Sequence, residues 1–210
     1  VKPSYGIVVD WETSGIRNNK KPYLTFLEQT QGIEIGATLV HIPTFETISE
    51  FESRVKFLGS HDGIEYGGPA YNKLTWSKDA EKIHGIKISD LIDAPTPKEV
   101  CESFINWLKI NGVVDTHKSP LMFCGHNPSG DYYATMQLLF LGQHENDIRF
   151  HYRTIDSFTA GYFIFGTKNS NDLFKRTSNV QRKIHSAMED SRLTTIALRT
   201  IYEICKGLSK

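Results

Sequence analysis

Residues 5–10 (YGIVVD) constrain the fold more than any other stretch of the chain. The run is short, apolar and rich in β-branched side chains, and it stops at an acid, as a buried strand does when it delivers a charged side chain to its end. Two further strand candidates follow at 33–42 (IEIGATLVHI) and 48–57 (ISEFESRVKF), and the PTFET between them predicts a hairpin. Residues 59–76 contain four glycines and a proline without a clear period, and read as a long loop. Helical spacing then takes over. Ser77 and Asp79 are cap-like, and Val100, Phe104, Trp107 and Leu108 recur at i, i+4, i+7 and i+8 behind Pro95 and Pro97. Residues 121–124 (LMFC) form a short strand candidate, 131–141 a helix ended by Gly142, and 151–156 (HYRTID) another strand. Leu193, Ala197, Thr200, Ile201 and Ile204 make an apolar stripe on a closing helix over 190–206. Strands first, then helices alternating with short strands, predict an α/β fold in which helices cover a mixed sheet. No repeat or linker divides residues 1–210, which are read as one unit.

Charge and cysteine usage exclude several classes. Twenty-four basic residues balance twenty-four acidic ones, so no global positive field draws the chain to polyanions, and a polyanion site must be built from local groups. No apolar stretch approaches the ~20 residues that cross a bilayer, and the first residues lack the form of a signal peptide, so the expectation is a soluble, cytoplasmic protein. Cys101, Cys124 and Cys205 are widely spaced and odd in number, which argues against a disulfide scaffold or a zinc site and predicts three buried thiols.

Three segments carry chemistry. In Val9-Asp10-Trp11-Glu12-Thr13-Ser14-Gly15, strand alternation points Asp10 and Glu12 to one face, where they repel unless a divalent cation sits between them. Trp11 points to the opposite face, as a core residue. On spacing alone, solvated acids and metal ligands fit Asp10 and Glu12 equally. In Gly125-His126-Asn127-Pro128-Ser129-Gly130-Asp131, Asp131 opens a helix, which also suits a cap or dipole partner, and His126 and Asn127 also suit turn formers. In His185-Ser186-Ala187-Met188-Glu189-Asp190, an ideal helix would place His185 about 140° around from Asp190. Both face one site only if His185 lies just before regular helix begins; Ala187, Asp190 and Thr194 share a face.

Taken in order, the three segments resemble the exonuclease motifs of the DEDDh (DnaQ-like) family of 3′-to-5′ exonucleases. The resemblance rests on Asp10-x-Glu12-Thr13-x-Gly15, on Gly125-His126-Asn127 leading to Asp131, and on His185-x-Ala187-x-x-Asp190-x-x-x-Thr194. Ile83-His84-Gly85-Ile86, Ala94-Pro95 and Ile155-Asp156-Ser157 also fall in register. Two features depart from the family pattern. Pro128-Ser129-Gly130 stands where the family commonly places Phe before the middle Asp, and residues 166–184 lack the usual Leu-rich helix, which implies a shortened or remodelled connection.

The resemblance implies an RNase H-like fold with a five-stranded mixed sheet flanked by helices. It implies that Asp10, Glu12, Asp131 and Asp190 hold two divalent ions, Mg²⁺ or Mn²⁺, and that His185 is the general base. It also implies substrate contacts from Thr13 and Ile16, with His126 and Asn127 beside them. The expected activity is release of nucleoside 5′-monophosphates from the free 3′ end of DNA or RNA, single strands favoured. A proofreading subunit of a polymerase assembly and a catalytically silent nucleic-acid-binding domain are the alternatives, and a homodimer or a polymerase partner is open. Two further groups have a functional and a bland reading. Tyr66, Tyr71 and Trp76 could stack bases or belong to a loop; Lys168, Lys175, Arg176, Arg182 and Lys183 could track phosphates or lie solvated on the surface.

Overall fold

The computed structural model describes residues 5–15, 28, 30–180, 182 and 185–208. Ile16 and Lys183, named above as possible substrate contacts, lie outside the described residues, as do Arg17, Lys20 and Lys21, expected either to meet phosphates or to lie in a solvated loop.

The apolar run at the N-terminus is β1 (Tyr5–Thr13), which continues three residues past Asp10. It pairs antiparallel with β2 (Gly32–His41), and β2 with β3 (Thr47–Arg54), so the predicted hairpin is present. The third strand ends at Arg54 instead of residue 57; Val55 still gives its N–H to the Ile33 carbonyl at 2.8 Å, and Val55 and Phe57 bury their side chains. On the other side of β1 lies β6 (Leu121–Gly125), followed by β7 (Phe150–Asp156), both parallel to their neighbours. The sheet order is therefore β3-β2-β1-β6-β7, five strands of mixed sense with β1 in the centre.

Residues 59–76 are more ordered than a loop. They contain the short pair β4 (Ser60–His61) and β5 (Ile64–Glu65) and a 3₁₀ turn at Pro69–Tyr71. Trp76 is buried with Phe57, Leu74 and Ile86, and its indole N–H donates to Glu81 Oε2 at 3.0 Å. That position removes it from the candidates for base stacking, and Tyr66 and Tyr71 pack against the same cluster.

Helix α1 (Lys78–His84) starts at Ser77, whose hydroxyl accepts the Ala80 N–H, and ends at Gly85 in the left-handed conformation. Helix α2 (Pro97–Ile110) is entered through Thr96 and Glu99, which satisfy each other's backbone N–H groups. Helix α3 (Ser129–Leu141) ends where Gly142 was expected to end it. Two helices were not anticipated. Helix α4 (Ser157–Phe165) is capped by Asp156, whose carboxylate accepts the Phe158 and Thr159 N–H groups. Helix α5 (Ser170–Ser178), capped by Asn169, occupies the connection expected to be shortened or remodelled. The closing helix α6 (Ala187–Leu208) begins three residues before the expected start. No helix among the described residues is long and apolar enough to cross a membrane.

The helices cover the sheet on both faces. Ile7, Val9 and Trp11 of β1 pack with Val100, Phe104 and Leu108 of α2 and Ala134 and Leu138 of α3. On the opposite face Val8, Val40 and Cys124 meet Leu198 of α6, while Leu173 and Phe174 of α5 pack on Leu193, Ala197 and Ile201 of α6. Cys101 and Cys124 are buried as expected, and burial pushes the Cys101 thiol up to about 12; Cys205 is exposed, because it falls on the outer face of α6.

Candidate functional site

Alternation along β1 decides which side chains reach the site. Odd-numbered residues enter the α2/α3 core, so Asp10 and Glu12 emerge together on the face covered by α6. Across the antiparallel ladder Asp10 stands opposite Gly36, and Glu12 opposite Glu34. Gly36 lets α6 approach. A Cβ built on it would lie 2.2 Å from the Ala187 carbonyl, so any side chain there would push the helix start off the sheet. Glu34, a residue the sequence reading passed over, fixes that start: its Oε1 accepts the Ala187 N–H at 3.3 Å and its Oε2 pairs with Arg54 at 3.3 Å. One turn along, Ser191 Oγ donates to the Val8 carbonyl at 2.9 Å and lies 2.8 Å from Thr38 Oγ1. These contacts seat Asp190 over β1.

His185 lies two residues before α6, the placement that joint access with Asp190 requires, and its Nδ1 is 3.6 Å from Asp190 Oδ2. One donor atom each from Glu12, His185 and Asp190 lie within 4.8 Å of one another. Asp10 and His126 line the same cavity of about 200 Å³, together with Ser170, Phe174 and Arg182. Asp131 is set to one side. It lines a neighbouring cavity of about 320 Å³ with Thr13, Gly15, Asn127, Ser129 and Gly130, and Trp11 borders both. Its Oδ1 accepts the Trp11 backbone N–H at 3.0 Å, so this carboxylate is tied to β1 in addition to standing in the first turn of its own helix. The Trp11 indole N–H donates to Thr135 Oγ1 at 3.0 Å and the ring is 7% exposed, as a core residue.

The remaining predicted contacts divide. Thr13 Oγ1 donates to the Gly15 carbonyl at 2.7 Å, which commits its proton and leaves lone pairs toward the larger cavity. Asn127 has a left-handed φ of 56° and gives its N–H to Asp156 Oδ1 at 2.8 Å, so it forms the turn while also lining that cavity. His126 shares a hydrogen bond of 3.0 Å with Ser157 Oγ and packs edge-on against Phe158. Of the basic run, Lys175 and Arg176 stand in the last turn of α5, whereas Arg182 is buried against Asp190.

The electrostatics are those of crowded acids. Burial, then Asp131, Asp190 and Glu12, holds the Asp10 carboxyl well above the usual carboxylate range. Burial and the charges of Asp190 and Glu34 push Glu12 up to about 7. Burial raises Asp131 to about 7 against the opposing Trp11 hydrogen bond, and Asp190 to about 6 against Arg182. Asp190 Oδ1 is buried with no hydrogen-bond partner among the described residues. Clustered oxygens, unpartnered lone pairs and mutual repulsion fit hard divalent cations. His185, partly buried beside Arg182, is shifted down, so the imidazole is neutral near neutral pH and able to accept a proton.

Comparison with known proteins bears on the family and the fold. No family model matches the chain. The DNA polymerase III subunit epsilon of Buchnera aphidicola subsp. Schizaphis graminum is 30% identical over 192 residues, spanning 89% of this chain and 70% of that protein. Among solved structures, the nuclease domain of 3′hExo, a DEDDh family member bound to rAMP, superposes with a TM-score of 0.60 at 16% identity, covering 97% of this chain and 94% of that one. E. coli exonuclease I in complex with a dA16 oligonucleotide gives 0.60 at 14% identity; this chain covers 41% of its length. The fold is RNase H-like, and the chain belongs to the DnaQ-like DEDDh family of 3′-to-5′ exonucleases.

Proposed function

We propose that residues 1–210 act as one exonuclease domain that hydrolyses the terminal phosphodiester of a nucleic acid at its free 3′ end and releases nucleoside 5′-monophosphates. The observation that carries this reading is the convergence of Glu12, Asp190 and His185 within 4.8 Å, beside Asp10 and next to a second cavity headed by Asp131. Asp10, Glu12, Asp131 and Asp190 would hold two divalent ions, Mg²⁺ or Mn²⁺, whose contribution is Lewis acidity at the attacking and leaving oxygens of an in-line displacement. His185, 40% exposed at the cavity mouth, takes the proton of the attacking water. Burial and Arg182 lower its pKa, which favours the unprotonated ring.

The larger cavity is the candidate place for the terminal nucleoside, since about 320 Å³ lies within the range of small-molecule sites. Thr13 Oγ1, its proton committed to Gly15, accepts a sugar hydroxyl, and Asn127 borders the same space. A single strand suits the site because one chain end must enter between β1 and α3. The relative named as a polymerase subunit supports a polymerase partner as a second reading.

The test is a 5′-labelled oligonucleotide incubated with Mg²⁺. The expected result is a ladder that shortens from the 3′ end and disappears with chelator; internal cleavage, or cleavage that survives chelation, would overturn the reading. Matched DNA and RNA, single and double stranded, then rank the substrates.

A further inference from the structure

One cation already stands among the acids. Arg182 lies in the connection between α5 and α6, outside helix and strand, yet its side chain is only 6% exposed. Nη1 donates to Asp190 Oδ2, Nη2 donates to Ser170 Oγ at 2.8 Å, and the guanidinium carbon lies 5.5 Å from the centre of the Phe174 ring. Ser170 and Phe174 both belong to α5, so this short helix cradles the guanidinium over the site. The group lines the same cavity as Asp10, Glu12 and His185. Its charge favours ionisation of Asp10, Glu12 and Asp190 and opposes protonation of His185.

A guanidinium does not shed its proton, so its positive charge is permanent. A divalent ion approaching Glu12 and Asp190 therefore meets a carboxylate whose Oδ2 is engaged and a positive charge beside it. Resting on the reading of Asp190 as an ion ligand, we propose that Arg182 is a positioning residue that competes with the divalent ion for Asp190. It holds the carboxylate in place while the site is free of metal, and yields it as an ion loads. Without that internal counter-charge, the crowded acids would repel one another beside the start of α6. With it, ion affinity is reduced by the fraction of molecules in which Asp190 is engaged.

Calorimetric titration of the metal-free protein with Mn²⁺, wild type and variants at one fixed pH, tests the competition. Arg182→Gln removes the charge and is expected to bind Mn²⁺ about tenfold more tightly than wild type. In the same protein the melting temperature without ions should fall, and the rise on adding Mn²⁺ should grow. Arg182→Lys retains a charge but loses the two-pronged contact, so its affinity should lie between; it serves as the readout if the Gln variant does not fold. Unchanged or weaker Mn²⁺ binding in these variants would overturn the competition, weaker binding meaning that Arg182 orients Asp190 for the ion. If neither wild type nor variants take up Mn²⁺ at all, the ion-site reading itself falls, and this inference with it.

Discussion

The two faces of β1 use the same nine residues for opposite purposes. On one face Ile7, Val9 and Trp11 are sealed under apolar side chains of α2 and α3, where burial is favourable. On the other, Val8 still packs against α6, but Asp10 and Glu12 follow, and burial and the neighbouring acids raise the energy of their charges, with Arg182 acting against them. One face supplies stability and the other gives some of it up to hold acids together. If so, substitutions on the two faces should separate stability from activity.

The largest separation is expected at the acids. Asp190→Ala, or Asp131→Asn, should reduce Mg²⁺-dependent cleavage by on the order of 10⁴-fold, because the ion is lost along with the ligand. Without metal, the melting temperature of Asp131→Asn should hold or rise, since one like charge is gone, whereas that of Asp190→Ala should fall, because Arg182 is left buried without its partner. Rates measured beside circular-dichroism melts check this, and full activity in either variant would defeat its assignment as a ligand.

The reverse result is expected at Trp11. Its ring is buried against Gly32, where a Cβ would lie 2.5 Å from it, and its indole is hydrogen-bonded to Thr135. Trp11→Ala should cost about 3–5 kcal/mol in denaturant unfolding. The backbone N–H that holds Asp131 survives the change, so cleavage per folded molecule should fall much less than in the acid variants. Equal losses of stability and rate at both positions would show that the faces are not separable.

How much of this was legible depends on whether a side chain's role follows from local period. The alternation of Asp10, Trp11 and Glu12 is a property of any strand, and the condition on His185 follows from helix geometry; the structure meets both. The end of α3 came from Gly142, which acts locally, whereas its start lies two residues before the expected Asp131. What could not be read depends on distant partners. Glu34 is a lone charge in an otherwise apolar strand, and only the arrival of α6 at Gly36 gives it the Ala187 N–H. Arg182 sat in a basic run that suits a surface, and only α5 folding back with Ser170 and Phe174 buries it. Helix α4 has a weak apolar period because Tyr162 and Phe163 face outward, so its sequence carries no clear stripe.

The smallest expected effect is on pH dependence, and it reads the charged face directly. Asp10, Glu12, Asp131 and Asp190 hold protons more tightly in the folded protein than in the unfolded chain, with Glu12 and Asp131 at about 7 and Asp190 at about 6. Their stabilising protons are lost as pH rises through those values, so stability falls across that window. His84, His126 and His185 are shifted down and act in the opposite sense, but their contribution is complete above about 6.5, the ordinary imidazole value. Between about pH 6.5 and about pH 8.5 the acids therefore dominate, and the metal-free protein should lose a few degrees of melting temperature. Below that window the two groups oppose each other and the profile should flatten. Glu12→Gln removes one of the two carboxyls that titrate near 7 and should shallow the slope, while Mn²⁺ should abolish it by replacing protons as the acids' counter-charge. A melting temperature that instead climbs across this window would mean that the acids of β1 and α6 are not crowded, and the contrast between the two faces would lose its physical basis.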